Sequence, residues 1–582
     1  MIRAALSGSL TTRTLTLALV MLVPACSACS RKGESSGVAT PDPNQAPAPA
    51  GPPISATGAL VADCKALGAD VGPGLYGIAF ADAPKELGAT MHRWGGNTTS
   101  RYNPELGNAW STAQDWYWQN VKIDSWEIFA AKAERSGGAA AITVPIMGWV
   151  AKDTDSYSFS IAKLGNQKEH DPEPNKRDRG NGVNLLGKPI PPPPPETTSV
   201  KITPEQVGVW VAKIKELDAK REMAKGTPAR AGAPAQPGKR LVRMYFLDNE
   251  PGLWHTTHRD VHPEPMSYDE LLEKTIAYAT AIRKADPDAL IAGPASYGWW
   301  EYFYSAKDHE AGFTNKPDRK AHGDTPLIEW YLRKLKEHEQ KTGVKLLDVL
   351  DVHFYPQSEG VEGNNGEGEG TDDGTNARRL RSVRALWDPT YKDESWIDDN
   401  VQLVPRMKKI IADNYPGLKL SIGEYRFGGE QHMSGAAALG EAMGRMATGG
   451  VDYAFYWTAP RDGSAAYSAF RAYANYDGAG SKFAGKLVPV STAKEAASVY
   501  AAKNGNKVVL VYVNRDGQKS FEEKVDLSSC GTVQSVKSFG IERSGDPRGL
   551  SPATQRTLQT GGEVSVKMPP FSVTTVEATL AP

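Results

Sequence analysis

The sequence predicts an α/β chain: a (β/α)8 TIM barrel with a C-terminal β-sandwich domain that includes an N-terminal strand. Three observations predict it. Between about residues 73 and 484, short apolar or β-branched runs alternate with longer amphipathic patterns. Eight such runs fall in that stretch, enough to close a barrel. After about residue 485 the helical pattern stops, and alternating runs separated by Gly, Asn and Asp turns continue for roughly 100 residues.

Taken in chain order, residues 1–29 read as an export signal. Arg3 and Arg13 precede the short apolar run Thr14 to Pro24, and small residues and cysteines follow at Ala25, Cys26, Ala28 and Cys29. The Val-Pro-Ala-Cys stretch ending at Cys26 resembles a lipoprotein cleavage box, from which Pro24 departs, so lipidation at Cys26 and plain secretion both stay open. No other apolar run is long enough for a membrane helix. Residues 30–58, rich in Pro, Ala, Gly and Ser, form a linker. Strands are expected at 75–80, 89–94, 141–148, 241–247, 289–293, 347–354, 418–423 and 451–457. Helices are expected at 125–136, 204–220, 267–285, 326–341, 400–414 and 434–448. This order makes the strands parallel. A doubly wound open sheet is the alternative, but no Gly-rich nucleotide fingerprint follows the early strands. Three low-complexity stretches, 165–200, 224–238 and 358–377, read as surface insertions, because the strand–helix rhythm resumes after each. The sandwich occupies 485–582, with strands near 507–513, 522–526, 533–539 and 563–576.

Cys64 and Cys530 are the cysteines left after the leader, and an exported protein lives where disulfides persist. Paired, they would bring residues 59–72 into the sandwich as an N-terminal strand; two separate buried thiols are the alternative. A formal net charge of -1 gives no electrostatic reason to expect nucleic acid or an anionic membrane as partner, a lipid anchor at Cys26 apart. A monomer is the expected state. The 14 Trp and 22 Tyr matter more, since many lie in polar surroundings. A single tryptophan is most simply a core residue. A group of them beside strand ends is what a sugar cleft needs, because the apolar face of a pyranose stacks on an aromatic ring.

Catalytic groups of a parallel barrel emerge at the C-terminal ends of its strands. Five of the predicted ends carry polar or aromatic groups. Arg93, Trp94 and Asn97 follow one; Asp248, Asn249 and Glu250 another; His353 and Tyr355 a third. Glu424 ends a fourth and Trp457 a fifth. Two carboxylates across one mouth are the minimal equipment for glycoside hydrolysis: one protonates the leaving oxygen, the other attacks the anomeric carbon or activates water. One glutamate after one strand proves little; Asn-Glu-Pro and Gly-Glu-Tyr three strands apart, with His-x-Tyr between and Trp after, is far more specific.

The runs RWGGNTTSRYNPELGNAWSTAQDWYWQN, LDNEPGLWHTTH, DVLDVHFYPQ and SIGEYRFGG resemble glycoside hydrolase family 44 and fit the wider clan A of retaining glycosidases. The similarity extends over roughly 60–580. It implies an endo-acting β-1,4-glucanase or xyloglucanase, with Glu250 as acid/base, Glu424 as nucleophile and carboxyl groups about 5–5.5 Å apart. It further implies that Asn249 bonds the sugar 2-hydroxyl and that Tyr355 or His353 orients the nucleophile. Arg93 should lie under Glu424 and depress its pKa, and Glu250 needs a raised pKa in a drier setting beside Trp254. Trp457 would floor the reacting subsite, with Trp94, Trp116, Trp118, Trp254 and Trp299 as platform candidates. Catalysis needs no cofactor; structural calcium is expected at most, with the acidic loop 358–377 a conceivable holder. Arg426 stands where the family pattern leads one to expect a small polar residue, which puts the far end of the cleft in question. Buried ion pairing is the bland role for Arg93, and core packing that for His353. A clan A hydrolase of xylan or mannan, and a non-catalytic surface glycan-binding protein, are the competing functions.

Overall fold

The structure, a computed structural model, describes residues 59–80, 82–224, 240–362, 370–490, 495–541, 554–556 and 562–582. Eight parallel strands close a barrel in sequence order. They are β1 (Gly74–Ala79), β2 (Met91–Trp94), β3 (Ala139–Val144), β4 (Val242–Leu247), β5 (Leu290–Ser296), β6 (Val349–Phe354), β7 (Lys419–Tyr425) and β8 (Tyr453–Tyr456). The main helices of the outer ring are α1 (Trp126–Arg135), α2 (Pro204–Ala224), α3 (Tyr268–Ala285), α4 (Leu327–Thr342), α5 (Asp373–Ser382), α6 (Leu403–Asn414), α7 (Met433–Thr448) and α8 (Ala465–Ala474). All eight expected strands and all six expected helices are present, within a few residues of the expected limits.

Alternation along the strands explains what faces where. In β6, Leu350, Val352 and Phe354 pack outward among the helices, while Val349 joins the barrel interior. Asp351 and His353 share the parity of Val349. In β2, Met91 faces the interior and Trp94 the helix layer. Helix starts follow local chemistry. Ser267 caps α3 by accepting from the Glu270 amide at 3.2 Å, the serine half of a Ser-x-x-Glu start. Ser464 caps α8 in the same way, accepting from the Tyr467 amide at 3.0 Å.

Met91, Ala141, Met244, Phe246, Ala292, Val349, Tyr453 and Phe455 plug the barrel interior. Phe246 and Phe455 meet edge-to-face with centroids 5.6 Å apart. Above this plug the interior turns polar.

The C-terminal region is a sandwich. Its larger sheet runs β9 (Lys486–Val488), β10 (Ala497–Asn504), β11 (Lys507–Asn514), β16 (Ser572–Leu580), β13 (Val533–Ile541) and β14 (Thr554–Arg556). The smaller sheet holds β12 (Phe521–Asp526) between β15 (Glu563–Met568) and the N-terminal strand Leu60–Val61. The N-terminal strand runs parallel to β12, with Leu60 opposite Val525. The Cys64–Cys530 disulfide closes the same corner, with Cα atoms 4.8 Å apart. Helices α7 and α8 carry the barrel against the larger sheet. Gly444 of α7 lies so close that a Cβ there would fall 2.2 Å from the Tyr500 ring. Glu441, fully buried in this seam, accepts from Arg445 and Ser498.

Two helices escaped the sequence reading. α8 is almost all small or aromatic residues, and α5 begins inside the stretch 358–377 read as a loop. The stretch 165–200, read as a surface insertion, is an ordered lobe packed on the loop after β2. Its Asp171 is fully buried and accepts from Gln119 Nε2 at 2.8 Å and Trp116 Nε1 at 3.2 Å. Of the expected insertion 224–238, residue 224 ends α2 and the rest lies outside the described residues, as do 363–369, the leader and the linker. No helix among the described residues is long and apolar enough to cross a membrane.

Candidate active site

The polar groups of the mouth come from five strand ends. β4 ends in Leu247, after which Asp248 and Glu250 take positive φ angles of 67° and 45°. Asp248 holds this turn by accepting from the Ile146 and Met147 amides at 2.7 and 2.8 Å. Glu301 accepts from the Gly252 amide at 2.7 Å and the Tyr297 amide at 2.6 Å, clamping the far side. The Glu250 amide itself donates to the Ala295 carbonyl in β5 at 2.9 Å. The Glu250 segment is thus tied to the ends of both neighbouring strands, β3 and β5.

Glu424 enters from β7. The register of β6 with β7 pairs His353 with Glu424, so both project from one level. An oxygen of Glu250, an oxygen of Glu424 and a ring nitrogen of His353 all lie within 4.8 Å of one another. His353 Nδ1 is 2.9 Å from Glu250 Oε1 and 3.7 Å from Glu424 Oε2. Tyr355 donates to Glu424 Oε2 at 2.8 Å. Arg93 donates through Nη1 to Glu424 Oε1 at 2.6 Å and through Nη2 to Asn249 Oδ1 at 2.9 Å. Its guanidinium lies 4.8 Å over the Phe246 ring, at the boundary with the apolar plug.

The electrostatics separate the two carboxyls. Burial pushes Glu250 well above the ordinary range, and the negative charge of Glu424 adds to that. Burial raises Glu424 as well, but Arg93 and then Tyr355 pull it back. The expected depression by Arg93 is therefore present as a contribution, while the net shift of Glu424 is upward because both groups are out of water. One proton on Glu250 and a charge on Glu424 paired with Arg93 is the arrangement these contacts favour. Burial and Arg93 hold His353 well below its usual pKa, so its ring is neutral. Burial, then the charge of Glu424, keep Tyr355 protonated and a donor.

The remaining expected residues divide. Asn249 and Asn97 lie in the site: Asn249 Nδ2 donates to Asn97 Oδ1 at 3.2 Å. Trp457 continues the inward parity of Tyr453 and Phe455, and Gly96 lies so close that a Cβ there would fall 2.7 Å from its ring. Trp254 is fully buried and donates to the Asn249 carbonyl at 3.2 Å, so it braces the Glu250 segment rather than offering a face. Trp94 stacks on Phe129 of α1 at 5.4 Å in the helix layer, where alternation along β2 sends it. Trp118 is buried between Phe159 and the Arg259 guanidinium. Trp299 packs against Phe303 with Arg406 over its ring. Trp116 is the most exposed of the expected platforms, at 38%. His353 meets Glu250 more closely than Glu424, so of the pair considered for orienting Glu424, Tyr355 makes the shorter contact. Three carboxyls were not singled out beforehand: Asp115, Glu301 and Asp351. Asp351 could have been found by parity two positions before His353; Glu301 and Asp115 sit in single-turn 3-10 helices, too short to give such a signal.

The comparisons with known proteins can be set beside this geometry. The sequence profile of glycoside hydrolase family 44 matches residues 109–358. The crystal structure of CelM2, a bifunctional glucanase-xylanase protein from a metagenome library, superposes with a TM-score of 0.79 at 31% identity, covering 90% of this chain and 99% of that one. The chain belongs to glycoside hydrolase family 44. A family 44 structure, a Paenibacillus polymyxa xyloglucanase with xyloglucan, matches at 25% identity and TM-score 0.69, over 88% of this chain and 98% of that one. Beta-mannanase/endoglucanase A of Caldicellulosiruptor saccharolyticus is 29% identical over 516 residues, or 81% of this chain. The chain spans only 35% of that relative's length. The matched range includes Glu250 and Tyr355 and ends before Glu424, so the second carboxyl rests on the geometry of the site.

Proposed function

We propose that the protein is a retaining, endo-acting β-1,4-glucanase of the cellulose and xyloglucan type. The observation that carries this reading is the pair of buried carboxyls, with oxygens within 4.8 Å, of which only Glu424 is bonded to an arginine. An inverting site needs room for a water between carboxyls about 6.5–9.5 Å apart, whereas a retaining one holds them at about 5–5.5 Å. In the first step Glu424 attacks the anomeric carbon as the C–O bond breaks, and the Glu250 proton goes to the departing oxygen. In the second, Glu250 takes a proton from water, which attacks the glycosyl–Glu424 ester and frees it with β configuration. Arg93 and Tyr355 keep Glu424 ionised and aimed; Asn249 bonds the 2-hydroxyl, Trp457 floors the reacting subsite and Trp116 offers a platform at the rim.

Glucan specificity is supported by the family and by the activities of its glucanase-xylanase and xyloglucanase neighbours. Xylan and mannan are the second choice, favoured by the names of CelM2 and of the Caldicellulosiruptor relative. A purely glycan-binding role would need neither the Arg93–Glu424 pair nor a proton held on Glu250. We place the protein outside the cell or on its surface, as a monomer, with Cys26 as the candidate anchor; the Cys64–Cys530 bond supports an oxidising compartment. Calcium stays a proposal. Among the described residues, the converging group of three or more His, Cys or carboxylate side chains is Glu250, His353 and Glu424, which is not the oxygen cage calcium takes. Product analysis tests the whole reading: NMR of early products from xyloglucan, mixed-linkage glucan, carboxymethyl cellulose, xylan and mannan. β-Anomer from a glucan supports it; α-anomer, or no cleavage of any polymer, overturns it.

A further inference from the structure

Asp115 sits half-buried in the loop after β2, in no strand and outside the five strand ends that supply the site. Both of its oxygens face Asn97 Nδ2, at 3.2 and 3.3 Å. Asn97 Oδ1 in turn accepts from Asn249 Nδ2, and Asn249 Oδ1 accepts from Arg93 Nη2. The direction of this chain is forced from its ends. An arginine only donates, so Asn249 must turn its carbonyl to Arg93 and its amide nitrogen to Asn97. Asn97 must then offer its carbonyl to Asn249 and its nitrogen outward. An ionised carboxylate only accepts, so Asp115 closes the chain with the right polarity.

We propose that Asp115 is a positioning residue, the acceptor terminus of a relay through Asn97 that holds the Asn249 amide with one N–H turned to the cleft for the substrate 2-hydroxyl. This rests on the glycosidase reading of the site. Two further observations support it. The loop is rigid: Thr112 N bonds Gln119 O at 2.8 Å, Trp118 N bonds Ala113 O at 2.9 Å, and Asp171 ties down Trp116. Asp115 also feels the negative charge of Glu424 and, with burial as the main cause, is pushed up to about 6; protonated or not, it keeps a carbonyl oxygen for Asn97. Removing it frees Asn97 to rotate, and the N–H that a buried amide should aim at the 2-hydroxyl loses its orientation while Arg93 and Glu424 stay in place.

The test compares an aryl β-cellobioside with its analogue lacking the 2-hydroxyl on the sugar next to the aryl group, in the wild type, Asp115→Leu and Asp115→Asn. Asp115→Leu is expected to lower kcat/KM on the parent about 10–100-fold and on the 2-deoxy analogue less than about 3-fold. Asp115→Asn, which keeps a carbonyl for Asn97, is expected to recover most of the loss. An equal fall on both substrates, or no fall on either, overturns the proposal. Failure of the wild type to cleave the parent would instead overturn the glycosidase reading.

Discussion

The two levels of the barrel interior follow opposite rules. Toward the start of the strands, Met91, Met244, Phe246, Val349 and Phe455 fill the lumen with apolar side chains, and nothing there needs a proton or a partner. Nearer the mouth, at or just past the C-terminal strand ends, Arg93, Glu250, Asp351, His353 and Glu424 are buried just as deeply but carry charge and protons. The first level lowers the free energy of folding by removing apolar surface from water. The second raises it, since buried carboxyls are out of water and partly repel one another. Arg93 belongs to both, with its guanidinium over Phe246 and its two donor nitrogens on Glu424 and Asn249. The difference teaches that the plug supports a strained level which the site needs and the fold does not.

The largest effect that could break this contrast lies in the upper level. Glu424→Gln should lower kcat on the order of 10³–10⁵-fold, with a melting temperature equal to or above that of the wild type. Kinetics and calorimetry on one preparation check it; a large fall in stability would mean that Glu424 holds the fold together. Glu250→Gln should behave alike on polymer yet lose much less on substrates with acidic aryl leaving groups, which need no proton.

Phe455→Ala sharpens the other side. It should cost about 3–5 kcal/mol in denaturant unfolding, by lost burial and a cavity, while kcat of the folded enzyme stays within about 3-fold. A rate loss comparable with that of Glu424→Gln would show the two levels to be coupled.

Asp351 tests the energetic claim by pH. Burial pushes its pKa up to about 7 against Arg93 and Ser421, so the folded chain keeps a proton that the unfolded chain releases near pH 4. The associated stability is therefore full below about pH 4 and is lost as pH rises through about 7, a matter of a few kcal/mol. Asp351→Asn should flatten the fall in unfolding free energy between about pH 4 and 7; an unchanged slope would remove Asp351 from the account.

The smallest effect is at Tyr355. Tyr355→Phe deletes one of the two partners holding Glu424 ionised, so the acid limb of kcat/KM should move to higher pH by less than about one unit. The alkaline limb, set by the proton on Glu250, should stay in place. Movement of the alkaline limb instead would reassign Tyr355 to the other carboxyl.

Much of this was legible in the sequence because strand ends are marked. A β-branched run followed by Asn-Glu-Pro or Gly-Glu-Tyr locates both a strand and its chemistry, and all of Arg93, Asn249, Glu250, His353, Tyr355 and Glu424 meet in one mouth. What was not legible depends on packing that sequence distance hides. Trp94, Trp118 and Trp254 look like sugar platforms by composition, yet strand parity or loop packing buries each. The lobe 165–200 reads as low complexity, but its Asp171 anchors Trp116 and Gln119. Glu301 and Asp115 act on the Glu250 segment and Asn97 from single-turn 3-10 helices, too short for any periodicity to announce them.

The central claim is that Glu424 forms a covalent bond to the sugar. The direct measurement is intact mass and peptide mapping after incubation with a 2-deoxy-2-fluoro-cellobioside bearing an activated leaving group. One added glycosyl unit is predicted, on the peptide containing Glu424, and none in Glu424→Gln. Label on Glu250, or rapid turnover to α-product with no label, would contradict the account.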